Sequence, residues 1–149
     1  MTLKSRSKEE LRDIIKTAVT IGSDIVIEPN YRTTMHWWRR INYSLFDDEL
    51  KEPKKIVFKW FYKDTLGWCV PYGKFKKDGR RMVSLGLSTE LDTLDKFLII
   101  LVHEMVHQWE WEINNDWNDK VKHGKAFYSW RDKVNEYFGM PLMAKYDFY

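Results

Sequence analysis

The chain has 149 residues, 44% hydrophobic and 32% charged, a balance that excludes a disordered or fibrous chain and suits one domain with one core. A formal net charge of +3 permits an acidic partner such as nucleic acid without requiring one. The lone Cys69 excludes an internal disulfide and suits a reducing compartment. The start, Met1 to Lys8, has no apolar stretch of the signal-peptide kind, and no window approaches the roughly 20 apolar residues of a membrane span. A soluble, cytoplasmic monomer without membrane contact is the expectation. Trp, Tyr and Phe occur eight times each, enough to build a small core from large side chains or to line a groove for peptide or unstacked bases.

In chain order, Ser7-Lys8-Glu9-Glu10 has the form of a capping box, with Ser7 as cap and Glu10 three residues on. A first helix is predicted from there to Val19 or Thr20, ended by Gly22. Pro29 and Asn30 mark a boundary before a second helix over Tyr31 to Phe46, and Asp47-Asp48-Glu49 with Pro53 breaks the chain again. Lys55 to Tyr62, Gly67 to Tyr72 and Met82 to Leu87 are predicted strands. A basic loop holding Lys74, Lys76, Lys77, Arg80 and Arg81 joins the last two. A long helix runs from Asp92 to Asn114-Asn115, a polar linker spans Asp116 to Lys120, and a last helix covers His123 to Phe138, closed by Gly139 and Pro141. The order of two helices, three strands and two helices predicts an α+β fold: a small three-stranded sheet packed with helices.

The long helix carries His103-Glu104-Met105-Val106-His107, behind the apolar run Phe97 to Val102. Histidines four apart share one helix face, so both imidazoles can reach one metal ion, and the glutamate between them is left to hold a proton. By average residue usage, a chance His-Glu-x-x-His in a chain of this size is on the order of one in a hundred. Catalytic zinc takes three protein ligands and keeps a position for water. Ile113 and Glu110 stand where the metzincin pattern wants histidine and glycine, and Lys125 to Tyr128 offer no glutamate where the thermolysin-like pattern wants one. His123 is the favoured third ligand, with Asp116 and Asp119 as runners-up. Zinc so held lowers the pKa of bound water to about 7 and polarises a carbonyl. Glu104 would take the proton and pass it to the leaving amine. Tyr72 and Tyr128 are candidates for steadying an oxyanion, with no spacing to choose between them; His36 reads as structural, and Trp109 and Trp111 as packing residues.

With these residues in hand, the chain resembles the SprT-like metalloprotease family, which includes the Spartan proteases. Leu101 to Trp109 is similar to that family's ligand helix, and His123-Gly124-Lys125-Ala126-Phe127, after Asn114-Asn115-Asp116, to its His-Gly-x-x-Phe element. Asn42 to Phe46 with Leu50 resembles its Phe-Asn-x-x-x-Phe-x-x-x-Leu region, and Met82 to Ser88 the strand before its active-site helix. The resemblance covers Tyr31 to Leu142. It implies a zincin-like site with Zn2+ at His103, His107 and His123 and Glu104 catalytic. It also implies a metalloprotease domain over residues 31–149 after a helical extension over 1–30. With one cysteine no C-terminal zinc ribbon is expected, and the chain resembles the short stand-alone members of bacteria and bacteriophages.

Substrate is expected as an added strand along a sheet edge, with Met82 to Leu87 the candidate edge and Gly86 either a point of close backbone approach or a bulge. The Lys74 to Arg81 loop is a candidate DNA-phosphate contact, or else a solvated hairpin loop. The function expected is zinc-dependent endopeptidase action on protein substrates, including DNA-associated ones. The rival is a zinc-containing nucleic-acid- or protein-binding module, and a non-proteolytic zinc hydrolase stands third.

Overall fold

Ser7 Oγ accepts the Glu10 backbone N–H at 3.0 Å, so α1 (Lys8–Ile21) starts where the capping pattern places it. Its apolar stripe, Leu11, Ile15 and Ala18, is buried. Asn30 caps α2 (Tyr31–Phe46) in the same way, its side chain accepting the Thr33 N–H at 2.9 Å. The helix stops because Asp47 and Asp48 adopt left-handed backbone, φ 54° and 64°. Buried Asn42 then clamps the following loop: Nδ2 donates to the Leu50 carbonyl at 2.9 Å, and Oδ1 accepts the Leu50 N–H at 3.1 Å.

The remaining elements are β1 (Lys55–Lys59), β2 (Gly67–Lys74), β3 (Arg81–Ser88), α3 (Leu94–Trp109) with a π-helical extension (Glu110–Asn114), α4 (Lys125–Tyr128) and α5 (Arg131–Phe138). The computed structural model describes residues 6–61, 65–74, 80–114, 123–146 and 148. The protein is α+β with a three-stranded mixed sheet, as its sequence predicts.

The sheet order is β1-β3-β2, with β1 parallel and β2 antiparallel to β3. This corrects the expectation that Met82 to Leu87 forms an edge: β3 is the central strand, and Val83 to Ser88 are buried throughout. Pro71 fits the placement of β2 at an edge, because proline cannot donate to a ladder and is tolerated there. The bulge lies between Pro71 and Gly73 on β2, away from Gly86. Gly86 instead makes room for a ring; a Cβ there would stand 2.2 Å from the Trp68 indole on the neighbouring strand.

α3 is the core element. Phe97 to Val102, Met105 and Val106 are buried among Val83, Leu85 and Leu87 of the sheet, Ile15 of α1, Trp38, Ile41 and Leu45 of α2, and Val134 and Phe138 of α5. The expected single last helix is broken into α4 and α5 by a turn at Ser129-Trp130. Ser129 Oγ donates back to the Ala126 carbonyl at 2.6 Å, and the turn brings the Trp130 ring to 4.7 Å from Phe46 and 5.3 Å from Trp109. Gly139, φ 63°, caps α5. β1 is shorter than predicted, ending at Lys59, and Tyr62 is outside the described residues. Among the described residues no helix is long and apolar enough to cross a membrane.

Candidate metal centre

His103 and His107 lie one turn apart on α3, a helix buried along most of its length. His123 begins the turn into α4 and comes back against them. His123 Nε2 stands 3.3 Å from His103 Nε2 and 3.2 Å from His107 Nε2. All three donor atoms fall within 4.8 Å of one another. Ligands about 2.0–2.1 Å from a tetrahedral ion are separated by about 3.3–3.4 Å, and the two separations from His123 match that spacing. Phe127 underlies the cluster, its ring centroid 4.9, 4.7 and 4.8 Å from those of His103, His107 and His123.

Two of the rings are held from behind. His107 Nδ1 pairs with Glu110 Oε1 at 3.0 Å; a carboxylate only accepts, so the proton sits on Nδ1 and the Nε2 lone pair faces the cluster. Tyr146 Oη accepts the Met143 N–H at 2.9 Å and pairs with His103 Nδ1 at 3.0 Å. Burial, then the neighbouring His107 and His123, push the His103 pKa down to about 3, which keeps its imidazole neutral, the form able to bind a metal. Burial also pushes Tyr146 up to about 12, so its hydroxyl keeps its proton.

Glu104 is buried beside the histidines in sequence, and burial raises its pKa to about 8. Its carboxylate fits because residue 67 has no side chain: a Cβ at Gly67 would lie 2.9 Å from Glu104 Oε2 and 2.9 Å from the Gly86 carbonyl. The inner face of β2 is therefore applied to the acid.

The structure thus brings together His103, His107 and His123. Asp116 and Asp119, the other ligand candidates, lie outside the described residues. Tyr72 is 54% exposed at the β2 bulge. Tyr128 packs its ring 5.2 Å from Phe127, with the Arg131 guanidinium 4.2 Å from its own centroid. His36 is exposed and edge-on to Trp37 at 5.1 Å, and is not part of the histidine cluster. Trp109 and Trp111 pack against the core, as predicted. Two basic-loop residues are engaged within the protein: Arg80 donates to Glu112 Oε1 at 2.9 Å and to the Glu49 carbonyl at 2.7 Å, and the Arg81 guanidinium stands 5.9 Å from the Trp111 centroid. Residues 75–79 and the Lys74 side chain are outside the described set.

Tyr146 and Gly67 carry no signal that sequence spacing exposes. Glu110, as a support for His107, was accessible in principle, being an acid three residues past that histidine on the same helix face. A buried network on the far side of α3 was equally silent. Gln108 accepts from Trp38 Nε1 at 3.1 Å and donates to the Lys51 carbonyl at 2.7 Å and to Glu112.

Residues 34–146 match the model of the SprT-like family. Over 103 residues the chain is 26% identical to the germ cell nuclear acidic protein of Drosophila melanogaster, an alignment covering 69% of this chain and 9% of that much longer protein.

Proposed function

This chain belongs to the SprT-like family, and on that premise we propose that it is a zinc-dependent endopeptidase acting on protein substrates, with zinc held by His103, His107 and His123. The observation that carries the reading is the convergence of three imidazoles, with His123 Nε2 at 3.2 and 3.3 Å from the other two and all donors within 4.8 Å, next to a buried acid that takes no part in the cluster. When bound, zinc supplies Lewis acidity, lowering the pKa of a water to about 7 and polarising a carbonyl.

The residues do the rest. Glu104 accepts a proton from the attacking water at its carboxylate and hands it to the departing amine. Burial favours its protonated form and a nearby cation its charged form, so the group is balanced between the two tasks. Glu110 and Tyr146 keep the His107 and His103 rings turned inward. Phe127 fills the space beneath the imidazoles and keeps water from it. A DNA contact through the Lys74–Arg81 loop, and with it a DNA-associated substrate, rests on Lys74, Lys76 and Lys77, since Arg80 and Arg81 have work inside the fold.

The test compares the protein with Glu104→Gln at equal zinc content, on an unfolded protein substrate with and without single-stranded DNA. The substitution should slow cleavage by at least about a hundredfold, the usual contribution of a positioned general base. Equal cleavage by both proteins would overturn the reading. In the same preparations His123→Ala should hold well under one equivalent of zinc; full stoichiometry would move the third ligand elsewhere.

A further inference from the structure

The edge of β2 beside Glu104 is shorter for pairing than its length suggests. Ser88 N–H donates to the Leu66 carbonyl at 2.9 Å, so Leu66 and Ser88 form a hydrogen-bonded pair. Antiparallel pairs alternate, and the register sets Gly67 against Leu87, Trp68 against Gly86 and Cys69 against Leu85. Trp68 therefore spends its main-chain groups on β3, whereas Gly67 and Cys69 turn theirs toward the outer edge. No further strand pairs with that edge among the described residues. Pro71 takes the next outward position and has no N–H to offer. Of the outward carbonyls, that of Cys69 is already taken, accepting from Trp111 Nε1 at 3.2 Å. Trp111 is placed there by the π-helical extension of the ligand helix, with Arg81 against its ring.

We propose that Trp111 is a specificity-determining residue that ends the substrate-pairing edge of β2 at Cys69. This rests on the peptidase reading. An extended substrate chain exchanges both main-chain bonds with Gly67, next to the Glu104 carboxylate. Two residues along, where the same chain would donate its N–H to Cys69, the indole holds the acceptor and its bulk fills the lane. Recognition is then confined to a short extended stretch around the scissile bond, and a longer strand on the Cys69 side gains nothing. Trp111→Ala opens the lane, and Trp111→Phe frees the carbonyl while leaving a ring in place.

The experiment uses quenched-fluorescence peptides of about ten residues, with single backbone N-methyl groups at successive positions. For the unaltered protein, methylation opposite Cys69 should leave KM unchanged, while methylation opposite Gly67 should raise it. In Trp111→Ala, KM for the unmethylated peptide should fall about threefold to tenfold with kcat retained, the yield of one regained hydrogen bond. The variant should also become sensitive to methylation opposite Cys69. An unchanged KM together with an unchanged methylation profile in Trp111→Ala overturns the proposal and leaves the peptidase reading standing. If neither protein cleaves, that reading has failed. Fluorescence anisotropy of the same peptides on zinc-loaded Glu104→Gln, with and without Trp111→Ala, then decides the edge question, and equal affinities refute it. Thermal unfolding of each variant separates loss of fold from loss of recognition.

Discussion

Glu104 sits on a helix otherwise built for the core, and a buried carboxyl there is tolerated only because Gly67 leaves it room and no charge is forced on it. The acid and His103 make the metal-free protein respond to pH in opposite senses. Glu104 is raised from 4.5 to about 8, so between those values the unfolded chain has lost a proton the folded chain keeps, and stability falls as pH rises. His103 is lowered from 6.5 to about 3, so in that window the unfolded chain binds the extra proton, and stability rises with pH. The two offset each other between 4.5 and 6.5, and above 6.5 the Glu104 effect remains alone. Metal-free protein should lose about 1 kcal/mol between pH 6.5 and 8, read by urea unfolding, and Glu104→Gln should abolish that loss. A profile unaltered by the substitution would show that another group titrates there.

At the scale of elements, the five-residue π-helical extension of α3 distributes three neighbouring side chains to three tasks. Glu110 holds His107, Trp111 caps the β2 edge, and Glu112 enters the buried network. The Glu112 side chain is 1% exposed and accepts from the Lys51 N–H at 3.0 Å, from Gln108 and from Arg80. Burial raises its pKa while these donors hold it down. Arg80→Ala leaves a buried acid without its cation and should destabilise the protein by roughly 1–3 kcal/mol, discounted because the arginine itself is partly exposed. Denaturant unfolding measures the loss, and Glu112→Gln in the same background should recover part of it. If Arg80 served only an external ligand, its removal would leave the unfolding midpoint where it was.

Across the whole molecule, the family match begins at residue 34, after α1, yet α1 belongs to the same core. Ile15 is fully buried in the cluster that contains α3, and the Arg12 guanidinium lies 3.6 Å from the Tyr137 centroid while its Nε donates to the Ser44 carbonyl at 3.0 Å. The helix that carries two of the three histidines is thus braced by residues outside the matched region. Ile15→Ala should cost about 2–4 kcal/mol and leave unfolding a single transition. A separate early transition for α1 would show that it folds apart from the site.

Local rules were enough to place the helix starts at Ser7 and Asn30, the stop at Gly139, the α+β order and the three histidines. The caps, the stop and the element order depend on hydrogen bonds or periodicity within a few residues, and His103 and His107 on a four-residue spacing that a helix turns to one face; His123 is picked out by residue type. Sequence could not order the strands, since β1 pairs with β3 rather than with β2, the next strand along the chain, and nothing local says which strand is central. It could not foresee the break at Ser129-Trp130, because tertiary packing on Phe46 and Trp109 overrides helical continuity. Nor could it assign Tyr146 to His103 or Trp111 to Cys69, contacts that span 43 and 42 residues. Such contacts arise only when the core has closed, and chain separation hides them from any short window.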